Sequence, residues 1–389
     1  MLSIAIFTYS TKPRGSVVHA AYLAEALQRK GAQVTLFALS KAGEGFFRPL
    51  SCDVRLIPAE PAAASEVDAL ISQRIAEFCV GIRAGDARYD ICHAEDCLAA
   101  NALVAAKSAL RGAALVRTVH HVEQFESPYL LACQERSVAA ADLVLSVSEA
   151  TRREVRAVFG REAPVISNGV DLRRFAVRCP SDEQRLTERL AVDAGDRIIL
   201  SVGGVEARKN SLAALQAVAL AFARQPRLRW VIAGGASIWE HEAYRREFAR
   251  QLAELPAALQ ARIAILGTVS ETDLTALYQL SDVLLCPSLK EGFGLCVLEA
   301  LAAKCAVIVP KGAPFDEYLD DRCASFVEAR SAPQIAFALS RLLSDESERK
   351  RSAKSGYERV QRYSWELVAQ QHLVSYESLR GRDQLALQR

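Results

Sequence analysis

The chain has 389 residues, a length that suits two domains, and its 48 Lys plus Arg against 46 Asp plus Glu leave a net charge of +2. That near-neutrality argues against a dedicated nucleic-acid binder, which carries a basic excess, and 51% hydrophobic with 24% charged residues excludes disorder and collagen. Ten cysteines with no Cys-x-x-Cys pair give neither a disulfide scaffold nor a zinc ribbon, so a reducing, cytoplasmic setting is expected.

The opening Met1–Ser10 has no basic region and no small-residue cleavage site, so no signal peptide is expected. No apolar run reaches the roughly 18 residues needed to span a bilayer. Leu2–Thr8 is an apolar strand, Thr11–Ser16 a turn-rich loop, His19–Lys30 an amphipathic helix stopped by Gly31, and Gln33–Leu39 the next strand. This is a βαβ unit and implies a parallel sheet. Ile91–His93, Leu115–His120 and Leu143–Val147 repeat the theme, and Pro164–Asp171 reads as a strand entering a turn. The polar segment from Ala176 to Arg189 reads as a linker. Strands then resume at Arg197–Val202, Leu228–Ala233, Ile263–Leu266, Asp282–Cys286 and Ala306–Val309, and several end in Gly or Pro. The expectation is two doubly wound α/β domains, 1–178 and 190–365, facing across a cleft. A helix from Ser364-Trp365 to Leu379, within a tail 366–389 that packs back on the first domain, frays from Gly381 onward.

The most informative stretch is Pro287-Ser-Leu-Lys-Glu291-Gly292-Phe293-Gly294-Leu295-Cys-Val-Leu-Glu299-Ala. Gly292 and Gly294 allow the backbone to approach a ligand. The helix that begins after Gly294 offers free N–H groups and a positive dipole end, a site for phosphate. Glu299 falls inside that helix on an apolar face, where a carboxylate is costly unless bonded. A second piece, Gly203-Gly204-Val-Glu-Ala-Arg208-Lys209-Asn210, sets adjacent cations on a Gly-bearing loop after a strand, which suits a diphosphate. Thr118-Val-His120-His121 ends a strand of the first half, and Arg14-Gly15-Ser16 opens its first helix.

Together these pieces resemble the GT-B glycosyltransferases of family 4, the retaining class that uses nucleotide sugars. Glu291 and Glu299 match its Glu-x7-Glu motif in context, and Gly203–Asn210 its phosphate loop. Asn168-Gly-Val-Asp171…Phe175, Ile265–Val269 and Leu277–Asp282 match further segments in order over nearly the whole chain. The resemblance implies that Glu291 bonds the donor sugar's hydroxyls and Glu299 the ribose. It implies that Arg208, Lys209 and the N–H groups at Gly294 and Leu295 hold the diphosphate, with Gly203, Gly204, Gly292 and Phe293 in the same loops. The Val269 backbone would meet the base and His120 the donor sugar. Gly15 and Ser16 would lie near the diphosphate and acceptor. Arg208 and Lys209 would do what a divalent ion does elsewhere, so no metal or cofactor is expected. The implied reaction moves a hexose from UDP-glucose first, GDP-mannose second, to a glycan, lipid-linked or small glycoside acceptor. The protein would work as a monomer or homodimer without nucleic acid, in the cytoplasm, with peripheral attachment to the inner membrane face left open. Two departures stand out. Gly204 replaces an arginine common in the family, and Ser16 replaces a glycine.

A sugar-nucleotide epimerase on the same fold and a non-catalytic sugar-nucleotide binder are the alternatives. A dinucleotide oxidoreductase is disfavoured because no Gly-x-Gly-x-x-Gly run exists. His93 and His121 read as structural, and Cys92, His93 and Cys97 lack a fourth ligand for a metal. Cys286, Cys296 and Cys305 read as small core residues. Arg152, Arg153, Arg156 and Arg161 read as a solvated helix face, with an anionic membrane or acceptor as the alternative, and Trp365 as a packing anchor.

Overall fold

The structure is a computed structural model and describes all residues except 42, 63–65, 85–87, 111, 236–241 and 387–389. The first sheet holds β1 (Ser3–Thr8), β2 (Gln33–Lys41), β3 (Asp53–Ala59), β4 (Ile91–Ala94), β5 (Ala114–Val119) and β6 (Leu143–Ser146), in the order β3-β2-β1-β4-β5-β6. The second holds β7 (Arg197–Val202), β8 (Leu228–Ala233), β9 (Ile263–Gly267), β10 (Val283–Leu285), β11 (Ala306–Pro310) and β12 (Ser325–Val327), in the order β12-β11-β10-β7-β8-β9. All pairings are parallel. Both orders describe the same winding: two strands run to one side of the first strand, then three to the other. Each sheet therefore reverses direction once, between β1 and β4 and between β7 and β10. Such a switch point opens a crevice at the carboxyl ends of the strands.

Helices cover the sheets, which explains why central strands read as unbroken apolar runs. Ile4, Ala5, Ile6 and Phe7 are buried on β1, and Trp230, Val231 and Ile232 on β8. β3 has no counterpart in the sequence reading. It lies at the sheet edge, alternates exposed and buried residues, and tolerates Pro58 because an edge strand need not donate there. β12 is only three residues long and was equally silent.

Three readings need correction. The supposed linker carries the helix Pro180–Arg189, with Pro at its first turn, Asp182 and Glu183 near its positive end and Leu186 fully buried. Pro164–Asp171 forms no strand among the described residues; it makes two isolated bridges, Val165 to Ser146 and Val170 to Ser364. The final helix runs from Trp365 to Ala386, past the expected fraying point at Gly381, while 387–389 lie outside the described residues.

The chain divides into two compact units, Met1–Gly169 with Trp365–Arg389, and Val170–Ser364. The division falls at 169/170 and not near 178–190, because the segment read as a linker packs within the second unit. There the Val170 N–H donates to the Tyr363 carbonyl at 2.7 Å, and Gln279 donates to the carbonyls of Phe175 and Val177. In the first unit Trp365 stacks on Tyr22 with ring centroids 5.7 Å apart and meets His19 edge-on at 5.2 Å. Gly169 lies so close that a Cβ would come within 2.8 Å of the Trp365 backbone nitrogen. Truncating a buried tryptophan costs about 3–5 kcal/mol. Trp365→Ala is therefore expected to lower the urea midpoint of the first unit's unfolding, and an unchanged midpoint would contradict this packing.

Candidate active site

At the switch point of the second sheet, Gly203-Gly204 follow β7 and Pro287-Ser288 follow β10. Gly203 has a left-handed φ of +126°, and a Cβ there would lie 2.7 Å from Lys209 Cε. The glycine thus lets the Lys209 stem cross the end of β7. Asn210 also takes a left-handed conformation, φ +57°, which asparagine tolerates. Its side-chain amide donates to the carbonyls of Pro287 at 3.1 Å and Ala329 at 2.6 Å. The Leu289 N–H donates to the Arg208 carbonyl at 2.8 Å. These bonds stitch the loop carrying the cations to the loop carrying Glu291.

The result is a compact charge cluster. Lys209 Nζ stands 2.7 Å from Glu291 Oε1, and Arg208 Nη1 stands 3.2 Å from Glu291 Oε2 and 3.1 Å from the Lys290 carbonyl. The Glu291 side chain is only 10% exposed. Burial pushes its carboxyl up, yet the charges of Lys209 and Arg208, with bonds from Lys209 and Ser288, outweigh it and hold Glu291 at about 2. Burial likewise works against the Lys209 ammonium, but Glu291 raises it. Both groups are ionised at neutral pH. Beneath them a cavity of about 20 Å³, lined in part by Lys209, Trp230 and Cys286, has room for about one water.

Gly294 is the N-cap of the helix Leu295–Ala302, with φ +97°. Its first turn leaves the Leu295 and Cys296 N–H groups, four and five residues after Glu291, without intrahelical acceptors. Gly292 and Leu295 are half-buried beside them. Phe293 lies in this loop with its ring buried; it stacks on Tyr318 at 4.6 Å, and its carbonyl accepts from the Tyr318 hydroxyl at 3.0 Å. It shapes the loop from the core. Val269 lies just past β9, next to Thr268, whose hydroxyl abuts Gly235. Glu299 sits one helical turn into the same helix. The protein itself satisfies its carboxylate, through Arg174 Nη1 at 2.9 Å and the Tyr278 hydroxyl at 2.8 Å. Neither partner was singled out from sequence, although Arg174 lies within Asn168…Phe175 and Tyr278 within Leu277–Asp282.

Gly204 explains its own departure. A Cβ there would stand 2.6 Å from the Gly235 carbonyl oxygen, so an arginine cannot enter without moving backbone.

In the first unit His120 follows β5. Its side chain is 13% exposed, and Nε2 lies 2.9 Å from Glu95 Oε2. Glu95 follows β4 beside that sheet's switch point, where the Tyr9 N–H donates to Asp96 at 2.8 Å. Glu95 is fully buried, with His19 Nε2 and His93 Nε2 each 3.7 Å from its oxygens. His93 also contacts the hydroxyls of Tyr376 and Thr118, both at 2.7 Å. Burial lowers His19 to about 4, His93 and His120 well below the imidazole range, and raises Glu95. At neutral pH these imidazoles are uncharged. Sequence reading missed Glu95, whose one signal was an acid two residues beyond His93 at a strand end. Gly15 begins the helix Gly15–Arg29; it is exposed and a Cβ there would meet nothing within 4 Å, so no neighbour in the chain demands a glycine. Ser16 is half-buried next to it.

The remaining readings settle locally. His121 pairs with Glu123 at 2.6 Å on a partly exposed loop. Arg152 and Arg156 pair with Glu162, and Arg161 donates to the carbonyls of Ala139 and Ala141. Cys286, Cys296 and Cys305 are buried. Among the described residues no group of three or more His, Cys, Asp or Glu could hold a metal ion. No helix there is long and apolar enough to cross a membrane.

Two parallel, identically wound sheets, one carrying a cationic glycine loop and a Glu-x7-Glu helix, define a glycosyltransferase of the GT-B type. Residues 13–174 match the family described as Glycosyltransferase Family 4, and residues 182–359 match Glycosyl transferases group 1. The chain belongs to the family 4 glycosyltransferases. It is 27% identical over 253 residues to a D-inositol 3-phosphate glycosyltransferase of Corynebacterium urealyticum; that alignment covers 64% of this chain and 59% of the relative, so the chain spans about three-fifths of that protein's length. In three dimensions it resembles sucrose-phosphate synthase from Thermosynechococcus elongatus, with a TM-score of 0.81, 22% identity, and 98% and 100% of the two chains covered. It also resembles the Anabaena protein HepE in complex with UDP and glucose, with a TM-score of 0.77, 20% identity, and 97% and 100% covered. At these identities the likeness is one of fold.

Two outcomes test the site. Gly204→Ala forces the loops apart, at about 1–3 kcal/mol, and is expected to lower Tm by several degrees; an unchanged Tm would refute the tight approach to Gly235. Glu291 has its folded pKa depressed, so its contribution is full above the usual carboxylate value of 4.5 and lost as pH falls toward about 2. Lys209→Met removes the main opposing charge. Its urea stability should fall furthest below that of the parent above pH 4.5, with the gap closing as pH drops toward 2. A gap independent of pH would contradict the pairing.

Proposed function

We propose that the protein is a retaining glycosyltransferase that moves a hexose from a nucleoside-diphosphate sugar to a glycan, lipid-linked or small glycoside acceptor, without a metal ion. The observation that carries this reading is the buried Lys209–Glu291 pair with Arg208 at its half-exposed edge, placed at a sheet switch point between a glycine loop and a helix N-terminus.

Breaking the bond between the sugar's C1 and the diphosphate builds negative charge on the phosphates and positive charge on the sugar. Lys209, Arg208 and the N–H groups of Leu295 and Cys296 are fixed donors that stabilise the leaving diphosphate. Both cations are held in place by Glu291 before any ligand arrives, so little reorganisation accompanies the reaction. Glu291 is anionic and anchored on both oxygens. It accepts hydrogen bonds from donor-sugar hydroxyls and stabilises the cationic sugar. Glu299 serves the ribose, and the Val269 backbone the base. Retention follows from attack on the face the diphosphate leaves, with a phosphate oxygen taking the acceptor's proton.

UDP-glucose is the first choice of donor, supported by the likeness to a protein solved with UDP and glucose. GDP-mannose is second. The cytoplasm is the proposed site of action, where such donors are substrates.

Thermal-shift titration with UDP, GDP, ADP and their sugar conjugates, with and without EDTA, tests this reading. One nucleotide class should raise Tm by mass action, insensitively to EDTA. Glu291→Gln should keep nucleotide binding while kcat for transfer falls about 10²–10³-fold, in the range seen for loss of a charge-stabilising group. No shift with any nucleotide, or transfer undiminished in Glu291→Gln, overturns it.

A further inference from the structure

Glu299 is held more completely than an acidic residue awaiting a ligand needs to be. Arg174 Nη1 donates to its Oε1 at 2.9 Å and the Tyr278 hydroxyl to its Oε2 at 2.8 Å. Arg174 is itself fixed on other edges: Nε donates to Thr275 Oγ1 at 2.6 Å, Nη2 to the Glu271 carbonyl at 3.3 Å, and Nη1 stands 3.6 Å from Glu271 Oε1. Its guanidinium lies 4.8 Å from the Phe175 ring centre, and the fully buried Tyr278 ring meets Phe175 edge-on at 5.8 Å. None of these residues belongs to the Glu-x7-Glu motif.

We propose that Arg174 and Tyr278 are positioning residues that orient the Glu299 carboxylate to accept from the vicinal hydroxyls of a nucleotide ribose. The inference rests on the donor-site reading above. A carboxylate accepts about four hydrogen bonds. Arg174 and Tyr278 take one on each oxygen, which leaves one further lone-pair direction on each, the arrangement a vicinal diol can meet with two O–H donors. Arg174 also balances the charge of Glu299. The pair together therefore calls for neutral donors and not for a second cation, which selects hydroxyls. Because neither side chain has to move for the diol to bind, the ordering that a free glutamate would require on binding is already in place. A lysine cannot replace Arg174, since only a planar guanidinium reaches Thr275, Glu271 and Glu299 together.

The test is calorimetric titration of the full chain with UDP and 2′-deoxy-UDP, and with GDP and 2′-deoxy-GDP. The quantity read is the affinity ratio of each ribose to its deoxy partner. The parent should favour the ribose form about tenfold, and Glu299→Ala should bring the ratio near one. Arg174→Lys and Tyr278→Phe should shrink the ratio at least severalfold. Thr275→Val, which keeps the guanidinium but frees one edge, should shrink it less. Tyr278→Phe keeps the ring in the core and serves if Arg174→Lys does not fold. A structural role alone would weaken both nucleotides equally and leave the ratio at the parent value, which overturns the proposal. If Glu299→Ala collapses the ratio but Arg174→Lys and Tyr278→Phe do not, the positioning role alone falls. If neither nucleotide pair binds, the donor-site reading falls and takes this inference with it.

Discussion

A carboxylate and an ammonium taken out of water together, with a half-exposed guanidinium beside them, are what the second unit is arranged around. Either Glu291 or Lys209 left alone at that depth would be several kcal/mol worse off. Paired at 2.7 Å, with Arg208 3.2 Å from Glu291, they satisfy one another. That pairing constrains the backbone beyond the three residues. Gly203 has no side chain because the lysine stem occupies its place, and Asn210 adopts a left-handed turn so that its amide can tie three loops. Gly204 is bare because the Gly235 backbone lies against it. The cluster is therefore a rigid, pre-charged surface at the end of β7 and β10.

The first unit winds its sheet the same way and solves the opposite electrostatic problem. Glu95 is more deeply buried than Glu291, and the groups nearest its oxygens are imidazoles that burial keeps neutral. Desolvation outweighs the opposing pull of His19 and Arg117, so its carboxyl is raised where that of Glu291 is lowered. Identical topology thus presents a strongly charged edge in one unit and a largely uncharged, hydrogen-bonded edge in the other. Shared winding says where a site can form and not what its chemistry is.

Much of this was legible along the chain. Apolar runs of strand length alternating with helical stripes announce two parallel sheets, and the bounds of β7 and β8 could be read to the residue. Glu291, Lys209 and Arg208 announce themselves because glycine loops, adjacent cations and a helix start lie within a few residues of one another. The readings that failed share a cause: the local pattern was weak or pointed elsewhere. β3 is a half-exposed edge strand with a proline, β12 is three residues long, and the helix Pro180–Arg189 is polar enough to pass for a linker. That the Phe293 ring stacks on Tyr318 is revealed only by the packing.

By itself the sequence determined the fold class, the winding and the residues able to carry charge at the second sheet's edge, because periodicity and short-range spacing encode all three. Which groups meet was decided by tertiary structure. Arg174 and Tyr278 reach Glu299 from 125 and 21 residues away, and Glu95 gathers His19 and His120 from different helices and strands. Burial sets the sign of each shift, and burial is a property of the packed chain. No spacing rule records it, because partners so far apart in sequence become neighbours only when the sheets bring their strand ends together.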